Sequence, residues 1–358
     1  MPDVHAALDT PLKNTYTTNC LLFPSRFRDS KNRHEGRANP LSTKNRSIAR
    51  QCKTVFAGTP EFSVASLRVL DAHPEIELVG VYTQPDRPSG RGRREKLSPI
   101  KLAASELSIP VFQPSTLKDE TAIEQFRELA AELLVVAAYG LILPRAVLEL
   151  PKLALNVHAS LLPRWRGAAP IQRAIMADDG VSGVSMMRVV EALDAGPVLM
   201  KRSCPIESSD TGGSLHDKLA NLGAQCLRLT VDEFLNGKLG ETPQDESAVV
   251  YAEKITSADR VLDWQLSAQR LACQIRALNP SPVSTAKIGS LDVKVWAARA
   301  LQNKSKMAPG AIIATSDDGI DVATGNGVLR ITQLQPAGKR SMTATEFVNG
   351  FRQMLGTN

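Results

Sequence analysis

The chain has 358 residues, a formal net charge of +6 and 43% hydrophobic residues, enough for two globular domains. No apolar run approaches the roughly 20 residues that a bilayer-spanning helix requires, which argues against a membrane protein. The five cysteines, Cys20, Cys52, Cys204, Cys226 and Cys273, lie far apart with no Cys-x-x-Cys spacing, so neither a zinc site nor a disulfide framework is indicated and a reducing compartment is expected.

The charge is unevenly placed. Residues 1–53 carry ten Lys or Arg against four Asp or Glu, residues 54–258 carry 21 against 26, and residues 259–358 carry 12 against 7. A basic C-terminal end suits contact with phosphates and equally suits an ordinary solvated surface. Residues 1–52 show no sustained hydrophobic period and have Arg26, Arg28, Arg33, Arg37, Arg46 and Arg50 spread along them. They resemble an organellar transit peptide, which implies a mitochondrial matrix address with the plastid as the alternative. Asp3 and Asp9 depart from that pattern, since such leaders are poor in acids, and a tail without an address is the competing reading.

From Lys53 strands and helices alternate. Thr54 to Ala57 reads as a short apolar strand ended by Gly58, Pro60 to Ala72 as a helix, and Glu77 to Tyr82 as a second strand. The loop Thr83 to Lys96 follows, with Pro85, Pro88, Gly90 and Gly92 among Arg87, Arg91, Arg93, Arg94 and Lys96. Its composition predicts a mobile, basic, solvent-exposed connection. Then come a helix at Ile100 to Leu107, a short strand at Val111, a helix from Asp119 to Ala130 and the apolar strand Leu133 to Ala138. Repeated βα units predict an α/β domain with a doubly wound, mostly parallel, Rossmann-like sheet.

Leu153 to Val157 reads as a buried strand that delivers Asn156 and His158 side by side at its carboxyl end, where open α/β sheets place chemistry. A loop punctuated by Pro163 and Gly167 follows, and Pro170 suits the first turn of a helix. An Asn-x-His tripeptide alone is as readily structural as functional. The longer string Asn156-Val157-His158-Ala159-Ser160-Leu161-Leu162-Pro163 resembles the signature of the formyltransferases that use 10-formyltetrahydrofolate. Arg164 to Gln172 is similar to the branch that formylates methionyl-tRNA. That resemblance implies 10-formyltetrahydrofolate as formyl donor, with Ser160, Leu161, Leu162 and Pro163 lining its site and the pterin near the turn Tyr139 to Pro144. It implies initiator methionyl-tRNA as acceptor, approached by the basic loop through Arg87, Arg91, Arg93, Arg94 and Lys96, with Arg91 the most important contact.

Gly183 to Val189 and Val198 to Cys204 read as further strands. Between them Leu193-Asp194-Ala195-Gly196 matches the family loop whose acid is the third catalytic residue; Pro197 stands where a polar or acidic residue is frequent. Thr211 to Leu235 predicts a long helix with Leu215, Leu219, Leu222, Cys226, Leu229 and Phe234 as its apolar stripe. The expected organisation is a leader over 1–52, a catalytic domain over 53–240, a polar linker over 241–258 and a C-terminal domain over 259–358. In the last, a helix at Ser267 to Leu278 precedes short strands with turn signals, which predict a small β-barrel. The resemblance implies an OB-like barrel that holds tRNA.

The implied catalytic set is Asn156, His158 and Asp194. An α-amino group adds to the formyl carbon, and the amide of Asn156 with a charged His158 stabilises the oxygen as it becomes anionic. Asp194 supports the imidazolium and assists removal of the amine proton. Neither a metal nor a covalent nucleophile is needed, and a monomer is expected. A formyl-folate enzyme acting on a small amine, such as a nucleotide precursor or an amino sugar, is the alternative that lacks a use for the basic loop. An inert RNA-binding scaffold is the third reading.

Overall fold

A computed structural model describes residues 51–89, 94–303 and 305–355. The Arg-rich leader, Arg91 and Arg93 lie outside the described residues, and the described ones fall in a compact unit spanning residues 49–358. The N-terminal half runs β1 (Cys52–Gly58), α1 (Val64–Asp71), β2 (Ile76–Tyr82), β3 (Arg87–Ser89), β4 (Arg94–Lys96), α2 (Pro99–Glu106), β5 (Val111–Phe112), α3 (Glu120–Glu128), β6 (Leu133–Ala137), α4 (Arg145–Leu148), β7 (Leu153–His158), β8 (Arg164–Gly167), α5 (Pro170–Met176), β9 (Val181–Arg188), β10 (Val198–Pro205) and α6 (Gly212–Leu235). Seven strands form one sheet in the order β10-β9-β7-β6-β1-β2-β5. The strands from β7 to β5 are mutually parallel, while β9 and β10 are antiparallel to their neighbours.

Both faces of this sheet are covered, as a parallel sheet requires. Phe56, Leu133, Val135, Leu155 and Val157 point into a core closed by α1, α2, α5 and α6, and Val55, Leu134, Val136 and Ala154 point into a second core closed by α3 and α4. Strand side chains alternate with a period of two, so Asn156 and His158 follow Ala154 on the second face. Thr211 starts α6 with a reciprocal cap: Ser214 N donates to Thr211 Oγ1 at 3.1 Å, and Thr211 N to Ser214 Oγ at 3.0 Å. The stripe of α6 differs from the expected one. Leu215, Leu219, Cys226, Leu227 and Val231 are buried, whereas Leu229 is 37% exposed, because steps of three and four residues carry the buried face past it.

The basic loop also differs from expectation. Its two ends pair as an antiparallel hairpin, Arg87 with Lys96, Pro88 with Glu95 and Ser89 with Arg94. At the foot, Lys101 Nζ bonds Asp86, and Gln113 Nε2 donates to Gln84 O at 2.9 Å and Asp86 Oδ1 at 3.1 Å. The ion pair with Lys101 holds the Asp86 carboxyl below its ordinary range. Turn composition signals an excursion of the chain without revealing that its two limbs zip together.

The C-terminal half contains β11 (Val250–Ala252), α7 (Ala268–Ala277), β12 (Ser284–Ile288), β13 (Leu291–Leu301), β14 (Ile312–Ser316), β15 (Gly319–Ala323), β16 (Val328–Pro336), β17 (Met342–Thr343) and α8 (Ala344–Phe351). The expected barrel strands form a six-stranded antiparallel sheet, β12-β13-β16-β15-β14 with β17 on β16. Leu271 and Ile275 of α7, and Phe347 and Val348 of α8, fill its core with Val293, Val295, Ile320, Val322, Leu329 and Ile331. Helix α8 has no counterpart in the sequence reading. Among the described residues no helix is long and apolar enough to cross a membrane.

The C-terminal domain is fastened to α5 and to the turn that follows it. Arg173 NH1 meets Asp259 Oδ1 at 2.7 Å, Gln269 Nε2 donates to Asp178 Oδ2 at 2.9 Å, and Cys273 Sγ donates to Asp178 Oδ1 at 3.2 Å. The guanidinium of Arg173 and the backbone N–H of Thr256 pull the Asp259 carboxyl down to about 2. A carboxylate held below its ordinary 3.8 contributes stability that is complete above that value and lost as pH falls through about 2. Asp259→Asn is therefore expected to destabilise the protein near neutrality and to flatten its acid denaturation between pH 4 and 2, followed by near-ultraviolet circular dichroism.

Candidate active site

Backbone pairing sets the site before any side chain contributes. Strand β9 runs antiparallel to β7, with Asn156 opposite Met187 and His158 opposite Ser185. The chain then turns through residues 189–197 into β10, which brings Asp194 back over the end of β7. His158 and Asp194 are nearly buried, at 7% and 14% side-chain exposure, and Nδ1 of the ring lies 3.6 Å from Asp194 Oδ2. The structure thus brings two members of the expected catalytic set into ion-pair distance.

The other nitrogen of the ring is also engaged. His158 Nε2 lies 2.9 Å from the carbonyl oxygen of Trp165. A carbonyl only accepts, so Nε2 carries a hydrogen and Nδ1 is the nitrogen turned to the carboxylate. Two residues further along the same loop, Gly167 N donates to Asp194 Oδ2 at 2.8 Å. One short stretch of backbone therefore pins both the imidazole and the carboxylate. Trp165 and Asp194 both sit in the left-handed region, with φ of 66° and 47°. Such non-glycine conformations cost about 1–3 kcal/mol each and persist where the surroundings fix them.

The surroundings do fix them. The indole N–H of Trp165 donates to Asp179 Oδ2 at 2.8 Å, Arg164 holds the same carboxylate at 2.7 and 3.0 Å, and the Arg164 guanidinium stacks 4.4 Å from the Trp165 ring. Ser160 Oγ donates to Arg164 O at 2.7 Å. Buried Ser185 donates to Ser160 O at 2.8 Å and accepts from Leu162 N at 3.1 Å. Of the residues expected to line a ligand, Ser160 and Leu162 are thus turned inward to hold the loop, Leu162 packing with Met187 and Val198. Leu161 and Pro163 are half-buried.

Asn156 is half-buried at the strand end, and the described residues give its carboxamide no hydrogen-bond partner. Asp194 Oδ1 likewise has none among them. These are the polar groups left available to a ligand. Exposed Ile142 and Leu193 stand on the loops after β6 and before β10 and offer apolar surface to a flat ring. Of the residues expected to contact nucleic acid, Arg87, Arg94 and Lys96 are placed by their backbone on the hairpin.

The sequence reading missed the support supplied by residues 241–252. Strand β11 pairs in parallel with β8, and Ala252 O accepts from Ala168 N at 2.9 Å and Ala169 N at 3.2 Å. Arg166, 2% exposed in its side chain, reaches Glu246 at 2.7 Å and Gln244 at 3.0 Å. Gln244 in turn donates to Asp194 O. The Trp-Arg-Gly run marked Arg166 as part of a motif, but nothing in the local pattern marked Gln244.

Gly167 has φ +117°, and a Cβ there would lie 2.8 Å from Ala252 O. Gly167→Ala is expected to displace β11 from β8 and to lower thermal stability by roughly 1–3 kcal/mol equivalent, read by calorimetry. An unchanged melting temperature would contradict the close approach.

Comparison with known proteins identifies the family and the fold. The formyl transferase family matches residues 53–231 and the formyl transferase C-terminal domain matches residues 254–352. Methionyl-tRNA formyltransferases of Stenotrophomonas maltophilia strains R551-3 and K279a are 51% and 50% identical over 304 residues, covering 84% of this chain and 98% of each relative. Among solved structures, the N-formyltransferase of Helicobacter canadensis with folinic acid and dTDP-3-aminofucose superposes with a TM-score of 0.61 at 16% identity, over 80% of this chain and 100% of that one. HypX from Aquifex aeolicus in complex with tetrahydrofolic acid gives 0.55 at 17% identity over 84% of this chain, which spans about half the length of HypX, 47%. These two likenesses establish the fold. With both halves matched in order and about half of the aligned residues shared over nearly the whole length of the curated relatives, the chain belongs to the formyl transferase family, in its methionyl-tRNA formyltransferase branch.

Proposed function

We propose that the chain transfers the formyl group of 10-formyltetrahydrofolate to the α-amino group of initiator methionyl-tRNA, as a monomer, in translation initiation inside an organelle. The observation that carries the chemistry is the carboxamide of Asn156, without a hydrogen-bond partner among the described residues, two residues from a His158–Asp194 pair at a strand end. The residues fit a formyl-folate. The Asn156 amide has no partner among the described residues, Ile142 and Leu193 are exposed on the loops after β6 and before β10, and a carboxylate oxygen stands ready to accept a proton.

10-Formyltetrahydrofolate supplies a formyl carbonyl whose oxygen becomes anionic as an amine adds to its carbon. Asn156 donates to that oxygen from a position fixed by β7, and a preorganised donor of this kind is worth about 2.7–4 kcal/mol. His158 has neither nitrogen to spare in the free protein. Its contribution to the oxygen requires release from Trp165 O, and short of that it holds the Asp194 carboxylate in register. Asp194 accepts the proton of the attacking amine at Oδ1, directly or through a water, and its return to N10 as the formyl C–N10 bond breaks would release tetrahydrofolate and leave the formylated amine.

Three features support a tRNA acceptor. The relatives of half-identical sequence are methionyl-tRNA formyltransferases. The paired limbs Arg87–Ser89 and Arg94–Lys96 follow β2 in the chain and carry Arg87, Arg94 and Lys96. In the C-terminal domain an open groove of ≈ 880 Å³ is lined by Trp264, by Lys287, Lys294 and Lys339, and by the single carboxylate of Asp292, a net positive setting suited to phosphates. The organellar address is supported by the Arg-rich residues 1–52, which precede the family match beginning at residue 53.

Purified protein with 10-formyltetrahydrofolate and charged initiator tRNA is expected to yield formylmethionyl-tRNA; product only with a small amine would establish the alternative acceptor. Asn156→Ala is expected to lower kcat by about 10²–10³-fold, and His158→Ala by about 10²–10⁴-fold, with the fold intact by circular dichroism. Near-normal turnover of either would remove that residue from the mechanism. Deleting residues 88–94 is expected to raise KM for tRNA far more than that for the folate, whereas equal losses would contradict the hairpin assignment. A fluorescent protein carrying residues 1–52 is expected to enter mitochondria; diffuse fluorescence would sink the address, and plastid import would reassign it.

A further inference from the structure

The segment joining the two domains does more than span them. Glu241 holds Arg188, with Nε donating at 3.0 Å, and Thr242 pairs its backbone with Val198 at 2.8 and 2.9 Å. Gln244 is the centre of this attachment. Its amide nitrogen donates to the carbonyl oxygens of Asp194 and Gly196, both at 2.7 Å, and its oxygen accepts Arg166 Nε at 3.0 Å. The orientation of the carboxamide is dictated by its partners, because carbonyls only accept and a guanidinium only donates. Arg166 is itself held by both oxygens of Glu246, at 2.7 and 3.1 Å. Gln244 cannot turn without breaking three hydrogen bonds.

The loop that it holds has little freedom of its own choosing. Asp194 keeps a left-handed backbone, and a Cβ at Gly196 would lie 1.8 Å from Arg188 O, so the chain passes β9 in van der Waals contact. Within the loop's described backbone, the internal hydrogen bond is Ala195 N to Ala192 O at 3.3 Å, a weak clamp. Gly167 N holds the Asp194 side chain at 2.8 Å and Arg188 N donates to Pro197 O at 2.9 Å; the backbone carbonyls of residues 194 and 196 are held by the two donors of Gln244.

We propose that Gln244 is a positioning residue for formyl transfer, fixing the backbone of Asp194 so that its carboxylate stays between Gly167 N and His158 Nδ1. This rests on the formyl-transfer reading of the site and deepens it: the interdomain segment, not the catalytic domain alone, sets the geometry of the reacting acid.

The test compares full-length Gln244→Met and Gln244→Glu with the parent protein. Met keeps the length and bulk without donors. Glu keeps a partner for Arg166 but sets oxygens against two carbonyl oxygens, so one variant retains the Arg166 contact if the other folds poorly. Both are expected to lose kcat by about 10–100-fold, with KM for folate and for tRNA within about threefold. The ring ¹⁵N shifts of His158, one of five histidines and assigned by its loss in His158→Ala, are expected to move in both variants of the free protein, which a role in packing alone would not cause. A kcat within about twofold of the parent in both folded variants, or unmoved His158 signals in both, overturns the proposal. The nuclear resonance arm needs no turnover. If the parent fails to formylate methionyl-tRNA, the proposed function falls while the Gln244 assignment is still decided by His158.

Discussion

One turn of backbone holds the site together. The carbonyl of Trp165 accepts from His158 and the amide of Gly167 donates to Asp194, so acid and imidazole are referenced to the same rigid loop rather than only to each other. Backbone donors and acceptors cannot change rotamer, and a buried one left unpaired is costly. The loop is anchored on three sides: Asp179 and Arg164 grip Trp165, Ser185 grips Ser160 and Leu162, and β11 closes against Gly167. A left-handed tryptophan and a left-handed aspartate are sustained by that surplus of contacts.

The topology explains why the loop lies where it does. Antiparallel β9 starts beside the carboxyl end of β7 and finishes opposite Leu155 near its amino end, so the connection of residues 189–197 must double back along β7 to set Asp194 against His158 before β10 begins. Asn156 and His158 share a face because they are two residues apart on a strand. Asn156, at the open end of that strand, is the donor the fold leaves uncommitted.

The two halves of the protein are joined by more than a tether. Charged contacts of Arg173 with Asp259 and of Arg166 with Glu246, and the parallel pairing of β11 with β8, bind the interdomain segment to α5 and to both loops of the site.

Much of this was legible in residue order. The short apolar runs of β1, β6 and β7, Pro170 at the first turn of α5, and the run from Asn156 to Pro163 specify local conformation, which depends on near neighbours alone. So the parallel sheet, the position of Asn156 and His158 at a strand end and the two-part organisation followed from sequence. The pairing of residues 87–89 with 94–96, the inward turn of Ser160, the closure of Asp194 on Gly167 and the grip of Gln244 on residues 194–196 did not. The last two join groups 27 and 50 residues apart along the chain, and all four rest on hydrogen bonds that have no periodic signature. A glutamine in a polar stretch looks the same whether it faces water or two carbonyls, and only folding brings the partners that tell the two apart.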